Sequence, residues 1–270
     1  MSANTGFSNV DASGRSDDLV DYLALLAQRL AAVREDGYGL MRLAPGAAVL
    51  DVGCGAGEVC VELAARVGPG GRVAGVDLSQ AMVEAARRAA AQAGREIDLR
   101  EASATALPFA DASFDAVRAE RVFQHLADPE AALREMIRVT RPGGRIVLFD
   151  PDHGQASLAL DDPRHRAAFE AARRALLRMI VNPHSGVRLG AMMKRAGLVD
   201  VTRQVRLLEV EFPDFARAFF LHDQLANAVA AGELTAEASS EFLAALEARH
   251  RAGEFYANAI GYTVAGTRPA

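Results

Sequence analysis

The spacing of apolar residues changes along the chain, and each change marks an element. From Leu19 to about Arg34 the leucines and alanines of LVDYLALLAQRLAAVR recur at helical spacing, which predicts an amphipathic or substantially buried helix ahead of the core. Gly37 and Gly39 interrupt that pattern, and Pro45-Gly46 turns the chain into Ala47 to Val52. This short run is mostly apolar and too even on both faces for an exposed antiparallel strand, which suits a buried parallel one. Gly53-Cys54-Gly55-Ala56-Gly57 breaks it. Glu58 to Val67 then reads as a helix with Cys60, Val61, Leu63, Ala64 and Val67 packed, and Glu58, Glu62 and Arg66 on the solvent side.

The alternation continues. Arg72 to Val76 is a second strand ending at Asp77, and Ser79 caps a helix whose packed face is Met82, Val83, Ala86 and Ala90. A short third strand falls near Ile97 to Glu101 and a fourth around Ala116 and Val117, after a loop through Leu107-Pro108-Phe109. Asp128-Pro129-Glu130 opens a helix with a capping carboxylate, a proline where its missing donor does no harm, and an acid in the first turn. A turn at Arg141 to Gly144 feeds a fifth strand, Arg145 to Phe149, ending in Asp150. Repeated βα connections of this length predict a parallel sheet covered on both faces, because right-handed crossovers bury both sides. Beyond Asp150 the rhythm changes: helices at His165 to Ile180, Leu189 to Ala196, Phe215 to Ala230 and Thr235 to Arg251, with strands at Val201 to Phe212 and Tyr256 to Thr267.

Composition narrows the class. A chain of 270 residues fits one large α/β domain or a domain with a sizeable insertion. The formal charge of -5 opposes nonspecific attraction to a polyanion, so nucleic acid is not an expected partner. Two cysteines, Cys54 and Cys60, make no disulfide framework and suggest a reducing compartment. No apolar run reaches the ~20 residues that span a bilayer, and the polar, acidic start lacks a signal-peptide pattern. A cytoplasmic protein without a membrane partner is the expectation.

The densest candidate chemistry is Asp51 with Gly53, Gly55 and Gly57 at a strand-to-helix junction, where glycines allow a tight path and a new helix presents unused amide donors. The dinucleotide fingerprint asks for glycine at the first, third and sixth positions; here the sixth is Glu58, whose charge would repel a pyrophosphate. A Walker loop is absent. Asp77, at the next strand's end, either accepts from ribose hydroxyls or is a surface acid at a helix start. No metal-ligand spacing emerges among the histidines, cysteines and acids, so no metal is expected. Cys54 has no ordered base to make it a nucleophile, and Cys60 reads as a small buried apolar residue.

VLDVGCGAGE, VAGVDLS, ALPFADASFDAV and FQHLADPEAALREMIRVTRPGGRIVLFDPD occur in that order over residues 47 to 152. Together they resemble the class I S-adenosylmethionine-dependent methyltransferases, with weaker support from GLVDV and GYTVAGTRP. The resemblance implies an α/β fold, a Rossmann-like seven-stranded mainly parallel sheet flanked by helices, with a helical cap. It divides the chain into an N-terminal extension (1–45), a cofactor-binding core (46–152), a cap insertion and return helix (153–196), and a segment completing the sheet with further cap (197–270). It implies S-adenosyl-L-methionine as cofactor, with Gly53, Gly55 and Gly57 at its amino-acid and ribose region, Asp51 supporting that loop, Asp77 and Leu78 at the ribose side, and Ser103, Ala104 and Leu107 around the adenine. Relatives often carry an acid where this chain has Ser103, which weakens adenine recognition.

Arg118, Glu120, Arg121, Gln124 and His125 follow the fourth strand and should face the reactive end of the cofactor. Glu120, counted also as a cofactor contact, His125 and His153 are the candidates for catalysis. His125 is alternatively a packed histidine at a helix start, and Glu120 and Arg121 a structural ion pair. Asp150, His153, His165 and His184 offer polar groups at the rim; His222 and His250 read as surface or core. The implied reaction is direct displacement of a methyl group onto an O, N or C nucleophile of a small, partly apolar metabolite, secondary or quinone-like by family analogy. The alternatives are an NAD-dependent oxidoreductase and a non-catalytic cofactor-binding protein. The cap helices serve either as a substrate lid or as a homodimer interface.

Overall fold

Five consecutive buried residues, Ala48–Val52, form β1 at the centre of the molecule. A computed structural model describes residues 30–270; the stretch Leu19 to Arg29 of the predicted first helix lies outside the described residues. In chain order the elements are α1 (Ala31–Met41), β1, α2 (Glu58–Val67), β2 (Arg72–Asp77), α3 (Gln80–Gln92), β3 (Asp98–Glu101), β4 (Phe114–Glu120), a 3₁₀ turn (Phe123–His125), α4 (Pro129–Val139), β5 (Thr140–Leu158), α5 (Pro163–Met179), α6 (Ser185–Arg195), β6 (Val199–Val210), α7 (Phe212–Ala218), α8 (Leu221–Ala230), α9 (Ala236–Arg251) and β7 (Ala257–Thr267).

The seven strands form one sheet in the order β3-β2-β1-β4-β5-β7-β6. All pairings from β3 to β5 are parallel, and β7 runs antiparallel to both β5 and β6. Because side chains alternate along a strand, Val49, Ala116 and Val147 pack against α1, α2 and α3 through Tyr38, Met41, Cys60, Leu63 and Val83. Leu50, Val117, Ile146 and Leu148 pack on the other face against Leu133 and Met136 of α4 and Leu189 and Met193 of α6. Both expected helix starts hold: the Ser79 hydroxyl accepts from the Met82 amide at 3.2 Å and the Asp128 carboxylate from the Ala131 amide at 2.8 Å.

Several boundaries differ from the sequence expectation. Gly37 and Gly39 do not stop the first helix: α1 runs through them because buried Val33, Tyr38 and Met41 hold it on the sheet, offsetting about 1 kcal/mol per glycine. Glu58 and Glu62 are half-buried instead of facing solvent, since Glu62 accepts the Tyr38 hydroxyl at 2.5 Å. The turn at Arg141 to Gly144 is an irregularity inside a longer strand, for the β4–β5 ladder steps from Phe114↔Thr140 to Ala116↔Arg145. β5 also continues past Asp150, because β7 pairs with it out to Leu158↔Ala257.

That extension carries the cap. β5, β6 and β7 project beyond the parallel strands, and α5, α7, α8 and α9 gather at their far ends around Phe169, Leu176, Phe215, Phe219, Phe242 and Leu246. Phe215 and Phe219 stack at 5.0 Å. The single helix expected over Phe215 to Ala230 breaks after Phe219, where Phe220 takes a left-handed φ of 49° and redirects the chain so that Leu221 and Leu225 enter the same cluster.

Candidate cofactor site

Strand order reverses between β1 and β4, and a crevice opens there at the carboxyl ends of the strands, the place where doubly wound sheets accept ligands. Asp51, Gly53, Gly55, Glu58, Asp77, Leu78, Ser103, Ala104, Arg118, Glu120, Arg121 and His125 all line it. Leu107 does not: it is buried in the core behind the wall, its amide donating to Glu135 at 2.8 Å. His153 also lies off the crevice.

The glycine loop is held by its neighbours. The Gly53 and Cys54 amides donate to the Val76 carbonyl at 2.7 and 2.9 Å, and the Gly55 amide donates to Asp77 at 2.9 Å. Asp77 accepts a second bond from the Ser79 amide at 3.0 Å, so one carboxylate ties the loop to the start of α3. Gly53, Gly55 and Gly57 all have positive φ. A Cβ on Gly53 would sit 2.3 Å from a Val122 methyl, and one on Gly57 2.8 Å from the Ala86 Cα. Protein packing, besides any ligand, therefore demands glycine at both positions. Both thiols pack against Gly75; the hydrogen bond with Cys54, and then burial, push the Cys60 thiol up, away from thiolate chemistry.

The floor is a buried charge array. Arg118, on β4, lies 3.4 Å from Asp51 and 2.5 Å from Glu120, so Glu120 pairs with Arg118 and not with Arg121 as its sequence neighbour suggested. Burial raises the Asp51 pKa to about 6 even with Arg118 beside it, while the two acids hold Arg118 fully charged against its own desolvation. Arg34 of α1 lines the crevice too and reaches Glu62 at 3.8 Å. The apolar spacing predicts this helix only as amphipathic or buried ahead of the core; an arginine on a helix face otherwise rich in alanine and leucine was the available signal for a place at the crevice. Glu58 stands at the crevice wall, its carboxyl raised by burial.

Beyond Glu120 the chain kinks through a left-handed Arg121, φ 59°, into the 3₁₀ turn. Burial, with Arg121 and His153 nearby, lowers the His125 pKa to about 3. His153 binds Gln124 at 2.6 Å and is lowered to about 4, mainly by burial. His184 is bonded to the buried Asp152 at 2.8 Å, and Asn182 donates to the Phe123 and Leu126 carbonyls, fastening the start of α6 to the 3₁₀ turn. Asp150 is buried beside Ser185, its pKa raised by burial to about 7. His165 and His250 lie against Phe242 and Phe212 in the cap, and His222 is exposed. Among the described residues, none from α5, α7, α8 or α9 lines the crevice. Among the described residues no cluster of His, Cys, Asp or Glu has a metal-holding arrangement, and no helix is long and apolar enough to cross a membrane.

These groups suit an adenosine carrying a sulfonium. Asp77 stands beside the loop it ties, Leu78 offers an apolar surface that is 63% exposed, and the carboxylates lining the crevice favour a cationic centre. A pyrophosphate would instead meet Glu58 and Glu120. The Ser103 hydroxyl is engaged by Thr105, 2.8 Å away, within its own turn.

Residues 50–148 match the family described as a methyltransferase domain. The uncharacterized 37.1 kDa protein in transposon TN4556 of Streptomyces fradiae is 38% identical over 253 residues, covering 92% of this chain and 70% of its own. Demethylmenaquinone methyltransferase of Thermus thermophilus is 43% identical over 102 residues, 38% of this chain and 46% of that one; against such enzymes the chain spans about half their length. The crystal structure of YcgJ from Bacillus subtilis superposes with a TM-score of 0.62 at 21% identity, covering 90% of this chain and 99% of that one. Sequence match, sheet order and crevice agree, and the chain belongs to the class I S-adenosylmethionine-dependent methyltransferases.

Proposed function

We propose that the chain transfers a methyl group from S-adenosylmethionine to an O, N or C nucleophile of a small, partly apolar organic acceptor. The observation that carries this reading is the crevice between β1 and β4, where the Asp77-tied glycine loop adjoins the Asp51–Arg118–Glu120 array. Similarity to demethylmenaquinone methyltransferase supports a quinol-like or phenolic acceptor.

When bound, the cofactor supplies a methyl group already activated by its sulfonium, so no covalent enzyme intermediate is needed. Asp77 would hold the nucleoside at its ribose, with Gly53, Gly55 and Gly57 giving the backbone path, Leu78 on the ribose side, and Ala104 and Ser103 beside the base. Leu107 acts from the core by shaping the loop behind Ala104. Glu120, fixed by Arg118, faces the methyl-donor side. His125 and His153, with pKa values of about 3 and 4, stay neutral at ordinary pH and are weak bases. His125 therefore orients through hydrogen bonding at the crevice wall, and His153 positions the turn through Gln124. Rate enhancement comes mainly from alignment of the acceptor with the methyl group and from exclusion of water.

Incubation with methyl-labelled S-adenosylmethionine and a panel of quinols, phenols and amines tests the reading. Labelled product from a phenolic or quinol acceptor is expected. Cofactor binding without label transfer to any class would favour a non-catalytic binder.

A further inference from the structure

We propose that a second copy of this chain pairs with the outer edge of β6 in antiparallel register, so that two seven-stranded sheets continue as one. β6 is the last strand of the sheet, and among the described residues no strand lies on its other side. It is twelve residues long, VDVTRQVRLLEV, without proline or lysine. Such an edge presents a row of open amides and carbonyls, and natural proteins usually shorten, kink or charge it. Its one irregularity falls at the start, between Val199 and Thr202. Thr202 to Val210 is regular, each residue having a β7 partner from Ala265 to Ala257.

The two faces of β6 differ. On one, Arg206 pairs with Asp36, and Leu208 packs against the cluster of Leu30, Val33 and Phe149. On the other stand Arg203, Val205, Leu207 and Glu209, with Val205 51% and Leu207 58% exposed. This apolar pair thus lies open between two opposite charges.

A two-fold antiparallel pairing sets residues of the same face opposite each other, and the same patch serves both copies. Centred on Arg206, it brings Val205 opposite Leu207 of the other copy and Arg203 opposite Glu209, each contact occurring twice. Moving the centre to Val205 would set Arg203 opposite Leu207, and moving it to Leu207 would set Val205 opposite Glu209. The strand's own pattern therefore selects one register. Its cost is Arg206 facing its counterpart, which the Asp36 of each copy offsets.

Sedimentation velocity on the full chain, from about 1 to about 200 µM, tests the pairing. Concentration-dependent dimers are expected from the wild type. Arg203→Glu and Glu209→Arg, each at an exposed position and checked for folding by circular dichroism, should each weaken association at least about 10-fold. The combined R203E/E209R chain exchanges the charges and should regain most of the loss. A monomer at every concentration would overturn the proposal. So would a dimer indifferent to the single reversals, or a double variant no better than either single one.

Discussion

The parallel and antiparallel halves of the sheet solve different problems. β1 to β4 are short, and what matters at their carboxyl ends is polar: a glycine loop tied by Asp77, and a buried arginine shared by Asp51 and Glu120. β5, β6 and β7 are long, and what they carry at their ends is an aromatic cluster with its own core. The cofactor side is thus fixed by directional bonds to a few groups, while the cap is fixed by bulk burial. Damage should stay on the side where it is made.

Phe219→Ala should give the largest effect on stability. Its ring stacks on Phe215 and lies 5.7 Å from Phe169, so truncation should cost about 3–5 kcal/mol, read by urea denaturation, with cofactor affinity in the folded fraction unchanged. A parallel loss of affinity would show that the halves are coupled. Gly57→Ala should follow, at roughly 2–3 kcal/mol, because a methyl there meets backbone as well as a side chain and the position has φ 86°. Gly53→Ala meets only the Val122 side chain, and Val122→Ala should restore part of its loss but can do nothing for Gly57→Ala. Equal rescue of both would refute the packing account of this loop.

Asp150→Asn should have a smaller effect that depends on pH. The folded pKa of Asp150, about 7, lies above its unfolded value, so between about pH 4 and pH 7 the folded state holds more protons and stability falls as pH rises. Asparagine removes that loss. The substituted chain should melt at least about 3 °C higher near pH 8, the gain vanishing toward pH 4. His125 and His153 act oppositely: lowered pKa values make the protein lose stability as pH falls from about 6.5 toward 3.

The same contrast explains what was legible in the sequence. Buried parallel strands announce themselves, since β1 and β2 are short, mostly apolar runs followed by glycine or closing on an acid, and the caps Ser79 and Asp128 are local chemistry. The crevice residues Asp51, Gly53, Gly55 and Asp77 sit at those strand ends and were found for that reason. Long-range contacts were not legible. Whether β5 stops at Asp150 depends on β7, more than a hundred residues later; whether Arg34 or Leu107 reaches the crevice depends on how α1 and the loop after β3 pack. The pairing of Glu120 with Arg118 was not legible either, because it follows from strand geometry, which puts residues two apart on one face, where the sequence offered the adjacent Arg121 as an alternative partner.

The most direct test of the cofactor assignment is parallel calorimetry of S-adenosylmethionine and NAD on the wild type and on Asp77→Ala. The account predicts binding of the first and none of the second, with the substitution weakening it by about 1–2 kcal/mol, roughly 5- to 30-fold. Selective NAD binding, or an Asp77→Ala chain with undiminished affinity for S-adenosylmethionine, would contradict it.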